Sequence, residues 1–305
     1  MRPPLDPSGD LQLKDRTIVH FQKMHGAGND FIVFDGRYGL NFDPGVYAPV
    51  MCDRHFGIGA DGILVLENSA SADFKMSYFN ADGSRTTCGN GMRCISRFIF
   101  EQGLLGSDQR EFDLETYGGT VPVRVFGRGE RVRVDMGSPV FDGFLIPTEI
   151  GGEHIDTELS VDDTRVIVTA VGMGNPHCVL ICDDVASAPV KVLGPKLENH
   201  PFFPERTNVE FVQILERRRI KVRVWERGVG ETFACGTGVC GAVAALVRTG
   251  RTERQIVAEV LGGELEVHWD EHTDRIRLAG PAESVFKASC HLSVFADRIP
   301  GFKTA

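Results

Sequence analysis

Short apolar segments separated by turn residues dominate the chain and predict a protein rich in β-strands. The segments favour β-branched and aromatic residues and are bounded by Gly, Pro, Asp and Asn, as strands are. The predicted strands are Phe31–Asp35, Ile63–Glu67, Val121–Phe126, Val132–Met136, Arg165–Val171, Val179–Cys182, Lys221–Trp225 and Leu265–Trp269.

Two segments carry apolar residues at helical spacing instead. Gly91–Gln102 and Gly238–Arg248 each end near a glycine, Gly103 or Gly250, which is typical of a helix C-terminus. A third helix is predicted within Pro44–His55. Many strands around few helices indicate a mixed α/β (α+β) fold.

The pattern occurs twice along the chain. A Gly-x-Gly-Asn sequence precedes a predicted strand, and a Cys-Gly-x-Gly sequence later opens a predicted helix. The spacing from Asn29 to Cys88 is 59 positions, and the spacing from Asn175 to Cys235 is 60. Two landmarks in the same order at nearly the same distance indicate a duplicated fold, with a boundary near Gly137–Pro139.

Cys88 and Cys235 stand where a helix N-terminus is predicted. Glycines at such a turn leave backbone N–H groups bare, and the helix end carries partial positive charge. We therefore expect the pKa of each thiol to be lowered. The same N–H groups can hold a carboxylate while it becomes enolate-like.

A matched pair of cysteines favours inversion at a carbon centre. Two thiols on opposite faces can exchange the roles of base and acid, whereas a cysteine hydrolase needs one thiol and a histidine beside it. A cysteine hydrolase and a non-catalytic small-molecule-binding protein stay open as alternatives. The remaining cysteines are interpreted as small buried apolar residues: Cys52, Cys94, Cys178, Cys182, Cys240 and Cys290.

The spacing of the cysteines and glycines gives little support for a metal site or a dinucleotide site. The cysteine pairs 88/94, 178/182 and 235/240 lack the usual zinc spacing, so no metal is predicted. The glycines of Gly57–Gly62 precede a strand, whereas a dinucleotide fingerprint follows one. Those of Gly236–Gly241 open a helix, but a loop separates them from the strand ending at Trp225. A nicotinamide cofactor is only a weak alternative.

Composition narrows the class of protein. The chain has 305 residues, of which 42% are hydrophobic and 25% charged, as is ordinary for a folded protein. A net charge of −9 argues against nucleic-acid binding, and no long apolar run predicts a membrane span. Eight cysteines in a chain of this size are expected to be free thiols in the cytoplasm.

The sequence resembles the diaminopimelate epimerase family from about Val19 to about Phe295. The resemblance rests on Met24-His-Gly-Ala-Gly-Asn-Asp-Phe, Asn80-Ala-Asp-Gly-Ser, Cys88-Gly-Asn-Gly-Met-Arg-Cys, Gly174-Asn-Pro-His, Arg206-Thr-Asn and Glu226-Arg-Gly-Val-Gly-Glu-Thr-Phe-Ala-Cys-Gly-Thr-Gly. It implies interconversion of LL- and meso-diaminopimelate for lysine and peptidoglycan synthesis, without pyridoxal phosphate or metal. A racemase of another amino acid, such as histidine, is the alternative within the same class.

The resemblance also implies roles for particular residues. Cys88 and Cys235 are expected to be catalytic, and His177 and Glu226 to tune their pKa values. Gly89, Asn90, Gly236 and Thr237 are expected to bind the reacting carboxylate and Asn29 the reacting amine. The distal end of the substrate is assigned to Asn80, Asn175, Asn208, Glu226 and Arg227.

Two pseudo-symmetric domains are implied, each with strands around a central helix and the substrate between them. Residues 17–137 with 283–297 are expected to form the N-terminal domain, because the final strand near Val285–Phe295 returns to it. Residues 138–282 form the C-terminal domain, and residues 1–16 are interpreted as a disordered arm. A homodimer is expected from the resemblance alone.

Two departures from the family pattern bear on the site. The family often has glutamine, contacting the amine, where this chain has Gly62, so that contact is expected to be lost or replaced by water. The segment from Asn80 to Cys88 is one residue shorter than the family pattern.

Overall fold

The computed structural model describes residues 18–296, 298 and 299, so the predicted arm, residues 1–16, lies outside the described residues. The strands are β1 Ile18–Gly26, β2 Asn29–Asp35, β3 Gly62–Glu67, β4 Phe74–Asn80, β5 Glu111–Thr116, β6 Gly119–Phe126, β7 Arg131–Asp135, β8 Thr157–Val161, β9 Thr164–Gly172, β10 Pro176–Ile181, β11 Asn208–Glu216, β12 Arg219–Glu226, β13 Gly230–Thr232, β14 Gln255–Val260, β15 Gly263–Trp269, β16 Ile276–Pro281 and β17 Glu283–His291. The helices are α1 Pro44–Met51, α2 Gly89–Glu101, α3 Val190–Glu198, α4 Gly236–Arg248 and α5 Ser293–Ala296. The strands and helices predicted from the apolar pattern are confirmed, as is the mixed α/β class. The final strand expected near Val285–Phe295 ends at His291 and is followed by α5.

Strand pairing repeats the duplication read from the sequence. The hairpin β1–β2 continues into β3 as a parallel neighbour, and β9–β10 continues into β11 in the same way. Each half then adds an antiparallel partner, a parallel crossover and two further antiparallel strands. A parallel crossover needs a long connection, and α2 and α4 lie in the two connections.

Two pairings close the architecture. β17 pairs antiparallel with β1 in the first half, as β8 pairs antiparallel with β9 in the second half. β7 lies antiparallel to β16 and thereby joins the two halves into one continuous sheet. The chain therefore returns at its end to the half in which it began, while the domain boundaries stay a prediction.

Helices α2 and α4 are the centres around which the strands wrap. Most residues of α2 are buried, and α4 is buried from Gly238 to Leu246 without interruption. A helix buried on all sides needs small or apolar residues on every face, which explains the Gly-Ala-Val composition of α4. The largest hydrophobic cluster contains residues of both helices and both halves.

No helix among the described residues is both long and apolar enough to cross a membrane. Within the same residues, no group of three His, Cys, Asp or Glu side chains is arranged to hold a metal ion.

The two halves also meet where a backbone segment of each comes into contact. A Cβ added to Gly262, in the β14–β15 turn, would lie 1.8 Å from the carbonyl oxygen of Ala27, in the β1–β2 turn. Both turns adjoin Phe233, because Gly262 N–H donates to the Phe233 carbonyl and Gly28 packs against its side chain. Only glycine at position 262 permits this approach.

We predict that Gly262→Ala destabilises the protein by about 2 kcal/mol or more, because backbone on both sides must move to admit the methyl group. The measurement is urea unfolding at equilibrium. Gly106→Ala is the matched control, since a Cβ there meets nothing closer than 3.7 Å. Equal stability of the two variants would show that the Ala27–Gly262 contact does not constrain the fold.

Candidate active site

Cys88 and Cys235 occupy equivalent positions, one at the start of each central helix. Each is the N-cap residue, and each sulfur accepts the N–H of the glycine three residues later, Gly91 or Gly238, at 3.4 Å. The sulfur of Cys235 also lies 3.4 Å from Thr237 Oγ1. Asp or Ser is the usual side chain at an N-cap, so two thiols there indicate a chemical role.

The N-termini of α2 and α4 meet at the interface between the halves. A Cβ on Gly236 would lie 3.8 Å from the Cα of Gly89 and 3.8 Å from Asn90 Oδ1. Asn90, only 3% exposed, donates from Nδ2 to the carbonyl of Ala234 at 2.9 Å across the interface. Its buried Oδ1 has no hydrogen-bonding partner among the described residues. Three of the predicted carboxylate-binding residues, Gly89, Asn90 and Gly236, thus come together.

Asn29 is joined to the Cys88 side of this junction. Its Oδ1 lies 3.5 Å from Cys88 Sγ and accepts from Asn90 Nδ2 at 3.2 Å. Its Nδ2 donates to Asp61 at 2.6 Å, and Arg54 binds the other oxygen of Asp61 at 2.7 Å. Asp61 is therefore a partner of the site that sequence reasoning missed, because it lies within the glycine-rich segment 57–62.

On the Cys235 side, His177 contacts a polar side chain through each of its ring nitrogens. Its Nδ1 lies 2.8 Å from Glu210 Oε1, and its Nε2 lies 2.8 Å from Asn175 Oδ1. His177 and Glu210 are both fully buried. Glu210 was not predicted as a site residue, because it lies outside the quoted motifs and in a strand, β11, that was not predicted.

Three of the predicted distal-end residues, Asn208, Glu226 and Arg227, form a second group. Asn208 donates to the Pro176 carbonyl at 2.9 Å and accepts the backbone N–H of Arg227 at 3.0 Å. The guanidinium of Arg227 donates to the Glu205 carbonyl at 3.0 Å, and Glu226 accepts from the hydroxyl of Thr232. Asn208 therefore fixes the chain at Arg227, because its amide is satisfied at both ends.

Asn80 and Gly62 lie opposite each other in the β3–β4 ladder. The amide of Asn80 donates to Ser84 Oγ at 2.9 Å, within the turn that leads toward Cys88. The expectation that a contact at Gly62 is lost or replaced by water stays a prediction. A Cβ at Gly62 would lie 2.5 Å from Tyr78 Cε2 and 3.0 Å from Tyr78 Oη, so the tyrosine fills that space.

Burial governs the acid–base behaviour of the thiols. It raises the pKa of Cys88 to about 11, while the Gly91 N–H opposes the shift. Burial also raises the pKa of Cys235, and the carboxyls of Glu226 and Glu210 add to that effect. The expected lowering of the thiol pKa values is therefore wrong for this structure, since desolvation outweighs the helix N-terminus.

The nearby carboxyls are shifted in the same sense. Burial raises the pKa of Glu226, and the hydroxyl of Thr232 opposes that shift. Burial raises the pKa of Glu210 as well, against the attraction of His177. Carboxyls with raised pKa values beside paired thiols are typical of a site that moves protons.

Comparison with known sequences identifies the family. The sequence profile described as diaminopimelate epimerase matches residues 21–141 and 169–285. Diaminopimelate epimerase 1 of Nostoc sp. is 44% identical over 276 residues, which cover 88% of this chain and 98% of that protein. Diaminopimelate epimerase of Moorella thermoacetica is 42% identical over 275 residues, with the same coverage.

Solved structures share the fold at low sequence identity. A probable proline racemase from Agrobacterium radiobacter K84 gives a TM-score of 0.68 at 17% identity, covering 94% of this chain and 96% of that one. A phenazine biosynthesis protein of the PhzF family from Bacillus anthracis gives 0.65 at 17% identity, covering 90% and 99%. Sequence match, duplicated fold and paired cysteines agree, and the chain belongs to the diaminopimelate epimerase family, whose members are isomerases.

Proposed function

We propose that this protein interconverts LL- and meso-diaminopimelate by moving a proton across one α-carbon between Cys88 and Cys235. The observation that carries the proposal is the junction of α2 and α4, each opened by a thiol and meeting at Gly89 and Gly236. A homodimer and a cytoplasmic location stay predictions from the resemblance.

The reacting carboxylate would bind at this junction. The first N–H groups of a helix have no acceptor within the helix, and two sets converge here, at Gly89–Asn90 and Gly236–Thr237. Their positive helix ends would stabilise the carboxylate and the added charge of an enolate-like state. Asn29, adjacent to Cys88, is assigned to the reacting amine.

The proton transfer follows from two thiols on opposite faces. A thiolate on one side takes the α-proton, the electron pair passes into the carboxylate, and the thiol on the other side returns its own proton to carbon. The first sulfur ends as a thiol and the second as a thiolate, so charge is conserved and the configuration inverts. No external acid, base or oxidant is consumed.

Burial of the sulfurs disfavours a thiolate and makes it a stronger base once formed. Cys235 is only 7% exposed, so we infer that the halves separate at the helix junction to admit substrate. Binding energy from the distal end of the substrate, at Asn80, Asn175, Asn208, Glu226 and Arg227, would then help to close the site and align the carbon. We assign pKa tuning to Glu226, whose charge acts on both thiols, and to His177 through Glu210.

We predict that Cys88→Ala and Cys235→Ala each reduce epimerisation by at least about a thousandfold, because inversion needs a group on both faces. The assay follows conversion of LL- to meso-diaminopimelate without added pyridoxal phosphate. Cys290→Ala, at a partly buried cysteine of β17, is the control and should retain activity. Full activity in either Cys88→Ala or Cys235→Ala would contradict the two-thiol mechanism.

Tyr78 lies near the proposed amine-binding side of the site, although the sequence did not identify it as a site residue. Its hydroxyl lies in the space beside Gly62, and its pKa is raised by burial and by the nearby charge of Cys88. We expect it to hydrogen-bond the substrate amine. Tyr78→Phe should lower kcat/KM about tenfold at unchanged stability, through loss of one hydrogen bond to a charged group. An unchanged kcat/KM would assign Tyr78 to packing alone.

Arg227 should decide the choice of substrate. Its planar fork of donors matches a distal carboxylate, and lysine cannot reproduce the paired geometry. Arg227→Lys should cost about 2–4 kcal/mol in transition-state binding, or roughly a hundredfold in kcat/KM for diaminopimelate. Lysine, which lacks the distal carboxylate, should be a poor substrate already. Equal kcat/KM values for diaminopimelate and lysine in the unmodified protein would contradict the assignment.

A further inference from the structure

In each half, one strand residue packs against the first turn of the helix that begins after the cysteine, α2 after Cys88 and α4 after Cys235. In β3 this residue is Leu64, since a Cβ on Gly91 would lie 2.9 Å from Leu64 Cδ2 and 3.4 Å from Cys88 Cβ. In β11 it is Glu210, since a Cβ on Gly238 would lie 2.6 Å from Glu210 Oε1 and 3.3 Å from Cys235 Sγ. Leu64 and Glu210 therefore occupy equivalent places.

The strand registers support this equivalence. Phe31 pairs with Gly62 in the parallel ladder of β2 and β3, and His177 pairs with Asn208 in that of β10 and β11. Leu64 and Glu210 each follow two residues after these pairs, on the same face of the strand. The histidine–glutamate pair beside Cys235 thus replaces the apolar pair Phe31 and Leu64 beside Cys88.

Glu210 is an unusual side chain to find in this place. It is fully buried, its Oε1 is bonded to His177, and its Oε2 has no partner within the described part of the chain. An unsatisfied buried carboxylate oxygen costs free energy, so its position calls for a functional reason. A negative charge there disfavours a second negative charge on Cys235.

A second difference lies five residues into each helix. Arg93, fully buried in α2, follows Cys88, whereas the neutral thiol of Cys240 follows Cys235 in α4. Arg93 donates from Nε to the Pro281 carbonyl at 3.2 Å, and its two terminal nitrogens have no partner among the described residues. Its positive charge favours a thiolate at Cys88.

The other charged groups near the thiols do not cancel this difference. Glu226 acts on both sulfurs in the same direction. Asp61, on the Cys88 side, is bound by Arg54 and Asn29. His177, on the Cys235 side, contacts only Oε1 of Glu210, and Oε2 has no partner among the described residues.

We propose that the two thiols are electrostatically unequal, so that Cys88 ionises before Cys235, with Glu210 as the positioning residue that keeps the proton on Cys235. The proposal rests on the proposed function for its meaning in catalysis. The isomer whose α-hydrogen faces Cys88 would react with the prevailing state of the enzyme. After turnover the thiolate is on Cys235, and one proton must pass from Cys88 to Cys235 to restore that state.

The test is a titration of each thiolate by its ultraviolet absorbance, which requires no substrate. Cys235→Ser reports on Cys88 and Cys88→Ser on Cys235, each measured as a difference from the double serine variant. We expect Cys88 to titrate at the lower pH. Adding Glu210→Gln to Cys88→Ser should lower the midpoint of Cys235 by about one pH unit, because a neighbouring negative charge is removed.

The matched control is Leu64→Met, which alters packing at the equivalent place without altering charge. Leu64→Met should leave the titration midpoints of both Cys88 and Cys235 unchanged. Glu210→Gln should leave the titration midpoint of Cys88 unchanged. Ionisation of Cys235 before Cys88, or an unaltered Cys235 midpoint in Glu210→Gln, would overturn the proposal. The serine pair alone decides the order if Glu210→Gln fails to fold. Absence of epimerase activity would leave these midpoints unaffected, so the two proposals fail separately.

Discussion

The meeting of two buried helices at their N-termini is the constraint on which the rest of the structure depends. Helix ends of like charge repel one another, and their first N–H groups lack acceptors, so a bound anion would stabilise the junction. Gly89 and Gly236 allow the close approach, and Asn90 ties it to the opposite half through the Ala234 carbonyl. A carboxylate bound there would be held by both halves at once and would couple substrate binding to the proposed closure of the interface.

Duplication gives the two halves the matched frame that the proposed inversion needs, and divergence between the halves makes the surroundings of the two thiols unequal. The backbone frame, the N-capping sulfur and the glycine that donates to it are the same in both halves. The side chains behind the helices differ, because an apolar leucine in β3 faces one first turn and a buried glutamate in β11 faces the other. A matched frame therefore does not require matched thiol pKa values.

Much of this fold could be predicted from the sequence, because the strands with continuous apolar runs and the two central helices have clear periodicity. β11 was missed because Glu210 and Gln213 interrupt its pattern, and α3 because it contains Gly194 and Pro195. The cysteines could be found from repetition. Tyr78 and the raised thiol pKa values could not, because both follow from burial and from contacts between distant segments.

The central claim, that protons leave and arrive on opposite faces, is tested most directly by isotope incorporation. LL-diaminopimelate is incubated with the protein in deuterium oxide, and at low conversion both recovered substrate and meso product are examined by mass spectrometry. Two separate thiols predict one α-deuterium in the product and none in the recovered substrate, because the removed proton is not returned to its own face. Deuterium in the recovered substrate at the level found in the product would indicate a single base and would contradict the account.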